Sequence, residues 1–412
     1  MNSVIKRDCC RLCMGRNIVE VLDLGVMPHA GNFLDKGEVG KEKRYPLSLY
    51  FCNDCSLLQI LDVIPKEVLF KNYFYLSSVS NTLKKHFSDY AEELRRRFIK
   101  GKETVLEIGS NDGVLMSILK DLGIKCIGVE PANNIADIAR SKGLDVVSSF
   151  FTESLAKELR TSMGRMKIIT ASNVFAHIDD MHDVMKGIKL LLEEDGLFIF
   201  EVQYAVDLIE KLEYDMVYHE HLCYYSLKSL MPFFEKFGME IFDVRRTSMH
   251  AGSIRVYVKN MNGKELRTST VDELLKIETE MKLESIETYV DFAEKVRKHG
   301  KDLYEMLANL KSKGFKIVGY GASGRANTLL NFCRIGTEYI DYIVDESPLR
   351  QNRFTPGTHI QIVDPAKFRS DNVDYVVLFA WSYFDEIMKK ECEFLKKGGK
   401  FIVVLPQVKI YP

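Results

Sequence analysis

The chain has 412 residues, enough for two or three domains of about 100–200 residues each. It carries 57 Lys and Arg against 58 Asp and Glu, so the net charge is −1 and no basic surplus favours nucleic-acid binding. No apolar run reaches the about 18 residues that a membrane-spanning helix needs, and no apolar leader follows the start. We therefore expect a cytoplasmic protein without nucleic-acid or membrane partners. We also expect a monomer, because no repeat or coiled-coil pattern calls for assembly.

The first region, residues 1–70, is turn-rich and carries two paired cysteine motifs, Cys10-x-x-Cys13 and Cys52-x-x-Cys55. Four thiolates in such pairs can close a tetrahedral zinc site, and a site without an open position is structural. The stretch between the pairs is longer than the about 15–20 residues of a simple zinc ribbon, so folded chain must fill it. Cys9 could compete with Cys10 as a ligand. The alternative is a set of reduced, metal-free cysteines.

The next region alternates strands and helices, which predicts an α/β domain with a mainly parallel sheet. A helix with one charged face is expected over about 71–100, and long linking helices over about 270–313. The predicted strands of this region are Thr104–Ile108, Cys126–Val129, Lys167–Ser172, Gly196–Val202, Met239–Val244 and Ser253–Lys259. Three further strands are expected near the end of the chain, at Ile340–Val344, Tyr375–Phe379 and Lys400–Val404.

The first strand of this domain runs into a glycine-bracketed turn that is followed by an apolar-periodic helix. Glu107 and Asp112 in this loop would repel a pyrophosphate but suit a cationic ligand, so we predict S-adenosylmethionine (SAM) as the cofactor. Glu130, which ends the second strand, can accept both ribose hydroxyls. The alternative is a Rossmann-like fold without a cofactor. The candidate cofactor-binding residues of this unit are Glu107, Gly109, Asn111, Asp112, Gly113 and Glu130.

Two later strands should end at the same edge of the sheet, where ligands of such folds bind. Asn173 and His177 follow one of them and are candidate cofactor contacts, although His177 could instead cap the next helix. Glu201 and Gln203 end the other strand and should face the same crevice.

The run from Tyr214 to Ser226 is dense in groups that can move protons. On an extended backbone, His219 and His221 would share one side, and Tyr218 and Glu220 the other. Histidine suits the role of general base because its pKa lies near neutrality. A metal site or an aromatic packing segment are the alternatives.

Near the end of the chain, Gly319-x-Gly321-x-x-Gly324 follows a strand and opens a helix, with Asp345 ending the next strand. This context fits an NAD fingerprint or the diphosphate of another nucleotide. Ser323 and Arg325 would add phosphate-binding groups. A turn that serves only strand–helix packing is the alternative.

With these residues in view, the chain resembles the sugar C-methyltransferases of deoxysugar biosynthesis along essentially its full length. Ala251 departs from that family, which usually has a second glycine there. The resemblance is carried by the paired cysteines, Tyr73–Ser78, Glu107–Gly113, Asn173–His177, Tyr218–His221, His250–Ser253, Gly319–Asn327 and Thr355–His359.

The resemblance implies three domains: a zinc-binding domain (1–70), a Rossmann-like SAM domain (71–305) and a Rossmann-like domain that helps bind a nucleotide-linked sugar (306–412). The substrate would be a nucleotide-linked 4-keto-6-deoxy sugar, methylated at C3 through an enolate. His221 would be the base, Glu220 would orient it, Tyr218 would bond the enolate oxygen and Tyr75 would line the cavity. The implied substrate-binding residues are His250, Ser253, Arg255, Gly321, Ser323, Arg325 and Asn327.

Three rival functions remain open at this point. A nucleic-acid methyltransferase with a zinc knuckle would bind RNA in a salt-sensitive way. An enzyme that uses NAD at Gly319–Gly324 would release bound nicotinamide on denaturation. A sensor would bind SAM or a nucleotide sugar without turnover.

Overall fold

The N-terminal part of the chain forms an antiparallel sheet. The computed structural model describes residues 4–70 and 76–412. Three consecutive strands of this part pair in the order β4-β3-β2, and β1 pairs with β5. The elements are β1 (Ile5–Lys6), β2 (Ile18–Pro28), β3 (Arg44–Cys52), β4 (Leu58–Ile60), β5 (Asp62–Val63) and α1 (Lys66–Phe70).

The central part contains a seven-stranded sheet of order β12-β13-β10-β9-β6-β7-β8. The run from β10 to β8 is parallel, whereas β13 lies antiparallel to both β10 and β12. Its strands are β6 (Thr104–Ile108), β7 (Lys125–Val129), β8 (Asp145–Val147), β9 (Met166–Ser172), β10 (Leu192–Gln203), β12 (Met239–Thr247) and β13 (Ser253–Asn260). The helices are α2 (Asn81–Arg97), α3 (Val114–Asp121), α4 (Asn133–Ser141), α5 (Glu153–Met163), α6 (Met181–Leu191), α7 (Ala205–Glu210) and α8 (Leu227–Glu235). Helices cover both faces, which is why the central strands are almost wholly buried.

One short strand of the central part joins the N-terminal sheet. Strand β11 (Cys223–Tyr224) pairs antiparallel with β4, and the complete sheet has the order β11-β4-β3-β2. The run from Tyr214 to Ser226, called the histidine-rich run below, contains this strand. Its backbone is therefore hydrogen-bonded to the cysteine-bearing part of the chain.

Two long helices lead into the C-terminal part, α9 (Ser269–Glu280) and α10 (Ile286–Ser312). The expected boundary between residues 305 and 306 lies inside α10. A six-stranded sheet of order β16-β15-β14-β17-β18-β19 follows, and only its edge strand β19 is antiparallel. Its elements are β14 (Ile317–Tyr320), α11 (Gly324–Phe332), β15 (Ile343–Val344), β16 (Ile362–Val363), α12 (Pro365–Ser370), β17 (Tyr375–Leu378), α13 (Phe384–Lys390), α14 (Cys392–Lys396), β18 (Lys400–Val403) and β19 (Lys409–Tyr411).

The α/β class and the two Rossmann-like sheets predicted from the sequence are confirmed. Every predicted strand overlaps an observed one, although the strand expected at Ile340–Val344 is only two residues long. The charged segment expected as linking helices is indeed helical, but it breaks between Glu280 and Ile286. Among the described residues, none forms a helix with the length and apolarity that crossing a membrane requires.

Candidate active site

A cavity of about 840 Å³ lies at the carboxyl ends of the central parallel strands. All three parts of the chain line it. Ile64 comes from the N-terminal part, Glu107 and His221 from the central part, and Gly321 from the C-terminal part. A ligand can therefore contact both Rossmann-like sheets at once, as expected at the carboxyl ends of such strands.

The turn after β6 shapes one side of this cavity. Gly109 has φ 68°, and a Cβ atom there would lie 2.2 Å from Cγ2 of Val174, so only glycine fits. Asn111 also has positive φ, and its side-chain oxygen accepts a hydrogen bond from the backbone N–H of Ser77 at 3.0 Å. The loop thus presents backbone and small side chains at close range to the cavity.

Two carboxyl groups face this turn in different states of hydrogen bonding. Burial, with Glu130 and Asp112 nearby, raises the pKa of Glu107 well above its usual value, and its Oε2 has no hydrogen-bond partner within the described residues. Glu130 accepts from the backbone N–H of Asn111 at 3.0 Å and of Ala132 at 2.9 Å. A cationic ligand at Glu107 would stabilise its charged form.

Three further buried oxygens that line the cavity have no hydrogen-bond partner in residues 4–70 and 76–412. They are Oγ of Ser110, Oδ1 of Asn173 and Oε1 of Gln203. Buried polar groups are rarely left unpaired in a protein, so these oxygens indicate a ligand with several donors. With Glu107, they suit the ammonium, sulfonium and hydroxyl groups of SAM.

Two residues expected to bind the cofactor lie behind the turn and do not line the cavity. Asp112 is fully buried, and its Oδ2 lies 3.1 Å from Nζ of Lys142. Gly113 has φ 77° and forms the N-cap of α3, where a Cβ atom would lie 2.3 Å from Leu144. Both residues brace the turn, which corrects their predicted role as direct contacts.

The histidine-rich run forms a tight turn, because the backbone N–H of His221 donates to the carbonyl of Tyr218 at 2.8 Å. Tyr218 and His221 therefore meet, with the phenol oxygen 2.8 Å from Nε2. His219 points away and bonds the carbonyl of Pro46 at 3.1 Å. The prediction that the two histidines share one side was wrong, since it assumed an extended backbone.

The protonation of His221 follows from its partners. Nδ1 lies 2.9 Å from the carbonyl of Met216, which can only accept, so Nδ1 carries the proton and Nε2 is a bare acceptor. Burial, followed by the nearby His177, lowers the pKa of His221 well below its usual value. The ring is therefore neutral at neutral pH and has one basic atom, Nε2.

The side chains of His177 and Glu220 also belong to this cluster. The ring of His177 lies 5.0 Å from that of His221 and lines the cavity. His177 does not cap the next helix, whose N-cap is Asp180. Glu220 receives a 2.7 Å hydrogen bond from His29. Sequence reasoning missed His29, because no motif marks it and it lies far away along the chain.

The C-terminal glycine loop forms the opposite wall. Gly321 has φ 94°, and a Cβ atom there would lie 2.6 Å from Cβ of Ala380. Ser323 lines the cavity but caps α11 by accepting from the N–H of Ala326 at 3.3 Å. Asp345 accepts from the N–H groups of Ala322 and Ser347, each at 2.8 Å. Its carboxylate is occupied within the loop, which argues against the ribose contact of an NAD site.

Arg325 is committed to the protein rather than presented to a phosphate. Its guanidinium makes two hydrogen bonds to Asp215, at 2.9 and 3.0 Å, and stacks over Trp381 at 4.7 Å. Trp381 bonds the same carboxylate at 3.0 Å. Arg325 lines the cavity, but its role as a free phosphate ligand is corrected to one of joining the C-terminal loop to the segment before Tyr218.

Three expected substrate contacts do not line the cavity. Ser253 is buried and donates to the carbonyl of Met249, and Asn327 is buried and donates to the carbonyl of Ala30. Arg255 lies over the ring of Tyr90 at 3.8 Å and pairs with Glu201 at 2.9 Å. Glu201 is thereby also removed from the crevice, whereas Gln203 lines it as expected.

His250 does line the cavity, as expected for a substrate contact. Burial lowers its pKa to about 4, so the ring is neutral. His250 and Ala251 have φ 54° and 76°, a left-handed conformation that glycine adopts more easily. The tight backbone here explains why glycine would be favoured at position 251.

The four predicted zinc ligands converge. The Sγ atoms of Cys10, Cys13, Cys52 and Cys55 all lie within 4.8 Å of one another. The Sγ–Sγ distance is 3.5 Å between Cys10 and Cys55 and also between Cys13 and Cys52. Four thiolates about 2.3 Å from one zinc ion would have such spacings, so the site fits tetrahedral zinc. Cys9 lies outside the set, with its Sγ 3.8 Å from Arg7.

Comparisons with known proteins agree with this arrangement. Three family models match consecutive parts of the chain: "Putative zinc binding domain" over 10–70, "Methyltransferase domain" over 83–244 and "C-methyltransferase C-terminal domain" over 248–406. Fold, cavity and family models together define a methyltransferase with a zinc-binding domain.

The particular family follows from a full-length relative. The chain is 33% identical over 405 residues to C-methyltransferase NovU of Streptomyces niveus, spanning 98% of this chain and 96% of that protein. The chain therefore belongs to the SAM-dependent C-methyltransferases.

Two similar solved structures each cover less than half of the chain. A SAM-dependent methyltransferase of Clostridium acetobutylicum ATCC 824 is 17% identical and covers 43% of this chain and 92% of its own, with a TM-score of 0.35. The CcbJ methyltransferase of Streptomyces caelestis is 18% identical and covers 42% and 88%, with a TM-score of 0.34. Scores this low add nothing to the family assignment.

Proposed function

We propose that this C-methyltransferase methylates C3 of a nucleotide-linked 4-keto-6-deoxy sugar through an enolate, with His221 as the general base. One observation carries the proposal. His221 is a neutral histidine whose only basic atom, Nε2, is held against the hydroxyl of Tyr218 at the cavity wall. A base paired with a phenol suits enolate formation beside a ketone, because the base can take the proton and the phenol can donate to the developing oxyanion.

The proton transfer would use Tyr218, Glu220 and His221 of the histidine-rich run. A ketone at C4 acidifies the C3 hydrogen, so the C3–H bond breaks, the proton moves to Nε2 of His221 and the electron pair delocalises onto the C4 oxygen. The hydroxyl of Tyr218 turns from Nε2 to that oxygen and donates to it, which also frees the lone pair of Nε2. The carboxylate of Glu220 stabilises the positive charge that His221 acquires.

The methyl group reaches the sugar on the other side of the same cavity. SAM, when bound, supplies an electrophilic methyl group on a sulfonium. Glu107, Ser110, Asn173 and Gln203 would hold it through their unpaired buried oxygens. Tyr75 would line the cavity where C3 meets the methyl group, and it lies outside the described residues.

The nucleotide would lie against the C-terminal loop. Gly321 and Ser323 form its wall, and His250 faces the same space. Nη1 of Arg350 donates to the carbonyl of Ala322 at 2.9 Å and lies 3.4 Å from Oδ2 of Asp345. Its Nε is buried at this wall without a hydrogen-bond partner among the described residues, so Arg350 has a donor left for a phosphate and replaces Arg325 as the candidate ligand. As part of the proposal, the enzyme works in the cytoplasm as a monomer.

The test is incubation with SAM and a panel of nucleotide-linked 4-keto-6-deoxy sugars in deuterated buffer. Mass spectrometry and proton NMR should detect a new methyl group on C3. Deuterium exchange at C3 without methylation would support the enolate step on an unsuitable sugar. If SAM binds but neither change occurs with any sugar of the panel, the proposal is wrong, and RNA and other small molecules become the substrates to test.

A further inference from the structure

The loop after β2 in the zinc-binding domain contacts the histidine-rich run of the central domain. Nε2 of His29, just after β2, lies 2.7 Å from Oε1 of Glu220. The His29 and Glu220 side chains are 12% and 7% exposed, so little solvent competes for this hydrogen bond. A carboxylate oxygen only accepts, so Nε2 of His29 is the donor.

The same loop is shaped for this contact. A Cβ atom on Gly31 would lie 2.6 Å from Oε1 of Glu220, so a larger residue would displace the carboxylate. The carbonyl of Ala30 accepts a hydrogen bond from Nδ2 of Asn327 on α11. The loop is thus held from the C-terminal part while it contacts Glu220.

The charged state of Glu220 depends on the histidines around it. Burial alone would raise the pKa of its carboxyl. The hydrogen bond and charge of His29 outweigh that effect, with smaller contributions from His177 and His221, and the pKa falls to about 2. Within the described residues, His219 also interacts with Glu220, since the carboxylate acts against the burial that lowers the pKa of that histidine.

We propose that His29 is a positioning residue of the methyl-transfer reaction: by donating to Glu220, it fixes that carboxylate beside His221 and keeps it available to the imidazolium that forms there. The base role of His221 is taken from the proposed function. His29 is not among the described residues that line the cavity, and it acts through Glu220. The zinc-binding domain then contributes directly to catalysis, in addition to stabilising the fold.

A pair of substitutions separates the hydrogen bond from the bulk of the ring. His29→Ala removes the donor, whereas the amide of His29→Gln can still donate from a similar position. We expect His29→Ala to lower kcat about 10- to 100-fold, the effect of losing one hydrogen bond to a charged group, with KM for SAM unchanged. His29→Gln should recover most of the rate.

His182→Gln is the matched control. His182 also bridges the two domains, but its Nε2 lies 3.1 Å from the carbonyl of Leu12 and so pairs with a residue other than Glu220. This variant should keep the wild-type kcat. Zinc content and thermal unfolding of all variants identify any loss that comes from misfolding.

A second readout does not depend on the sugar substrate. Ring resonances of His177 and His221 in ¹⁵N-histidine-labelled protein report the charge of Glu220. They should show no carboxyl titration between pH 4 and 8 in the wild type. In His29→Ala a step should appear, because only the smaller contributions of His177 and His221 then oppose the burial that raises the pKa of Glu220. Glu220→Gln in that background should remove the step.

The two measurements have separate consequences. A His29→Ala protein that is folded, turns over at the wild-type rate and shows no titration step overturns the role of His29. If the wild type methylates no 4-keto sugar, the proposed function fails, and the presence or absence of the titration step still decides whether His29 controls Glu220.

Discussion

The hydroxyl of Tyr218 lies 2.8 Å from Nε2 of His221, and the two rings pack with centroids 4.0 Å apart. The carbonyl of Met216 holds Nδ1 of the same imidazole at 2.9 Å. These two contacts fix the tautomer of His221 and aim its basic nitrogen at a phenol. The ring is thus prepared for proton uptake before any substrate arrives.

Replacing His221 by alanine should abolish turnover and leave SAM binding intact. A general base typically contributes about 10²- to 10⁴-fold to a rate. Among the described residues, the side chain of His221 bonds Tyr218 and the carbonyl of Met216 rather than the turn after β6. The measurements are kcat on the active sugar and the Kd for SAM by calorimetry. A His221→Ala enzyme with near-normal kcat would remove His221 as the base.

The rate should resist acid more than an ordinary histidine base allows. Because burial lowers the pKa of His221 well below its usual value, the neutral, active form persists as the pH falls past about 6.5. The acid limb of kcat/KM should therefore appear below that pH, and activity should be lost as the pH falls through the lowered pKa. A limb centred at 6.5 or higher would contradict the buried environment of His221.

Sequence patterns predicted the elements of the fold better than the contacts of individual side chains. Strands such as Thr104–Ile108 are apolar runs bounded by turn residues, so local sequence defines them. The paired cysteines converge because each pair lies within a tight turn. The antiparallel N-terminal sheet was not predicted, since its pairing with Cys223–Tyr224 joins distant segments.

The active-site predictions succeeded where the backbone is local and failed where distant partners decide. Gly109 and Asn111 follow from the turn after β6, and both line the cavity. Arg325 and Arg255 were expected to face substrate, yet Asp215 and Glu201 bind them. The sequence around either arginine does not predict its partner, because the partner lies far away along the chain. The contact between His29 and Glu220 could not be predicted for the same reason.

SAM binding should release a proton from Glu107. Burial raises the pKa of this carboxyl and so favours its protonated form, whereas a nearby cation would favour its charged form. Calorimetry in two buffers of different ionisation enthalpy measures the released proton. Glu107→Gln should remove the buffer dependence and weaken binding, and an unchanged dependence would assign the proton to another group.

Gly109→Ala should weaken SAM binding through a steric clash. The added Cβ would lie 2.2 Å from Val174, which forces the turn to shift. Gly123→Ala is the control, because Gly123 has a similar φ of 75° and no atom within 4 Å of its Cβ position. Both variants carry the same backbone strain of about 1–3 kcal/mol, so only Gly109→Ala should change the Kd for SAM. Equal Kd values would show that the clash is relieved elsewhere.

Elemental analysis of protein purified without chelators should find about one zinc per chain. Cys52→Ser should lose the metal and lower the unfolding temperature. Cys52 is the last residue of β3, the strand that pairs with both β2 and β4 in the N-terminal sheet. Cys392→Ser is the control, since Cys392 lies on α14 outside the cluster, and it should keep full zinc. Metal-free, stable wild-type protein would show that the thiols are only packed together.

The pairing of β11 with β4 limits how this enzyme can be recombined with its relatives. A chimera cut between residues 70 and 81 would exchange three strands of a sheet and leave the fourth, Cys223–Tyr224, with the recipient. That strand begins two residues after His221, so a mismatched edge would disturb the backbone next to His221. A functional chimera should therefore take the zinc-binding domain and the segment around residues 214–226 from the same parent.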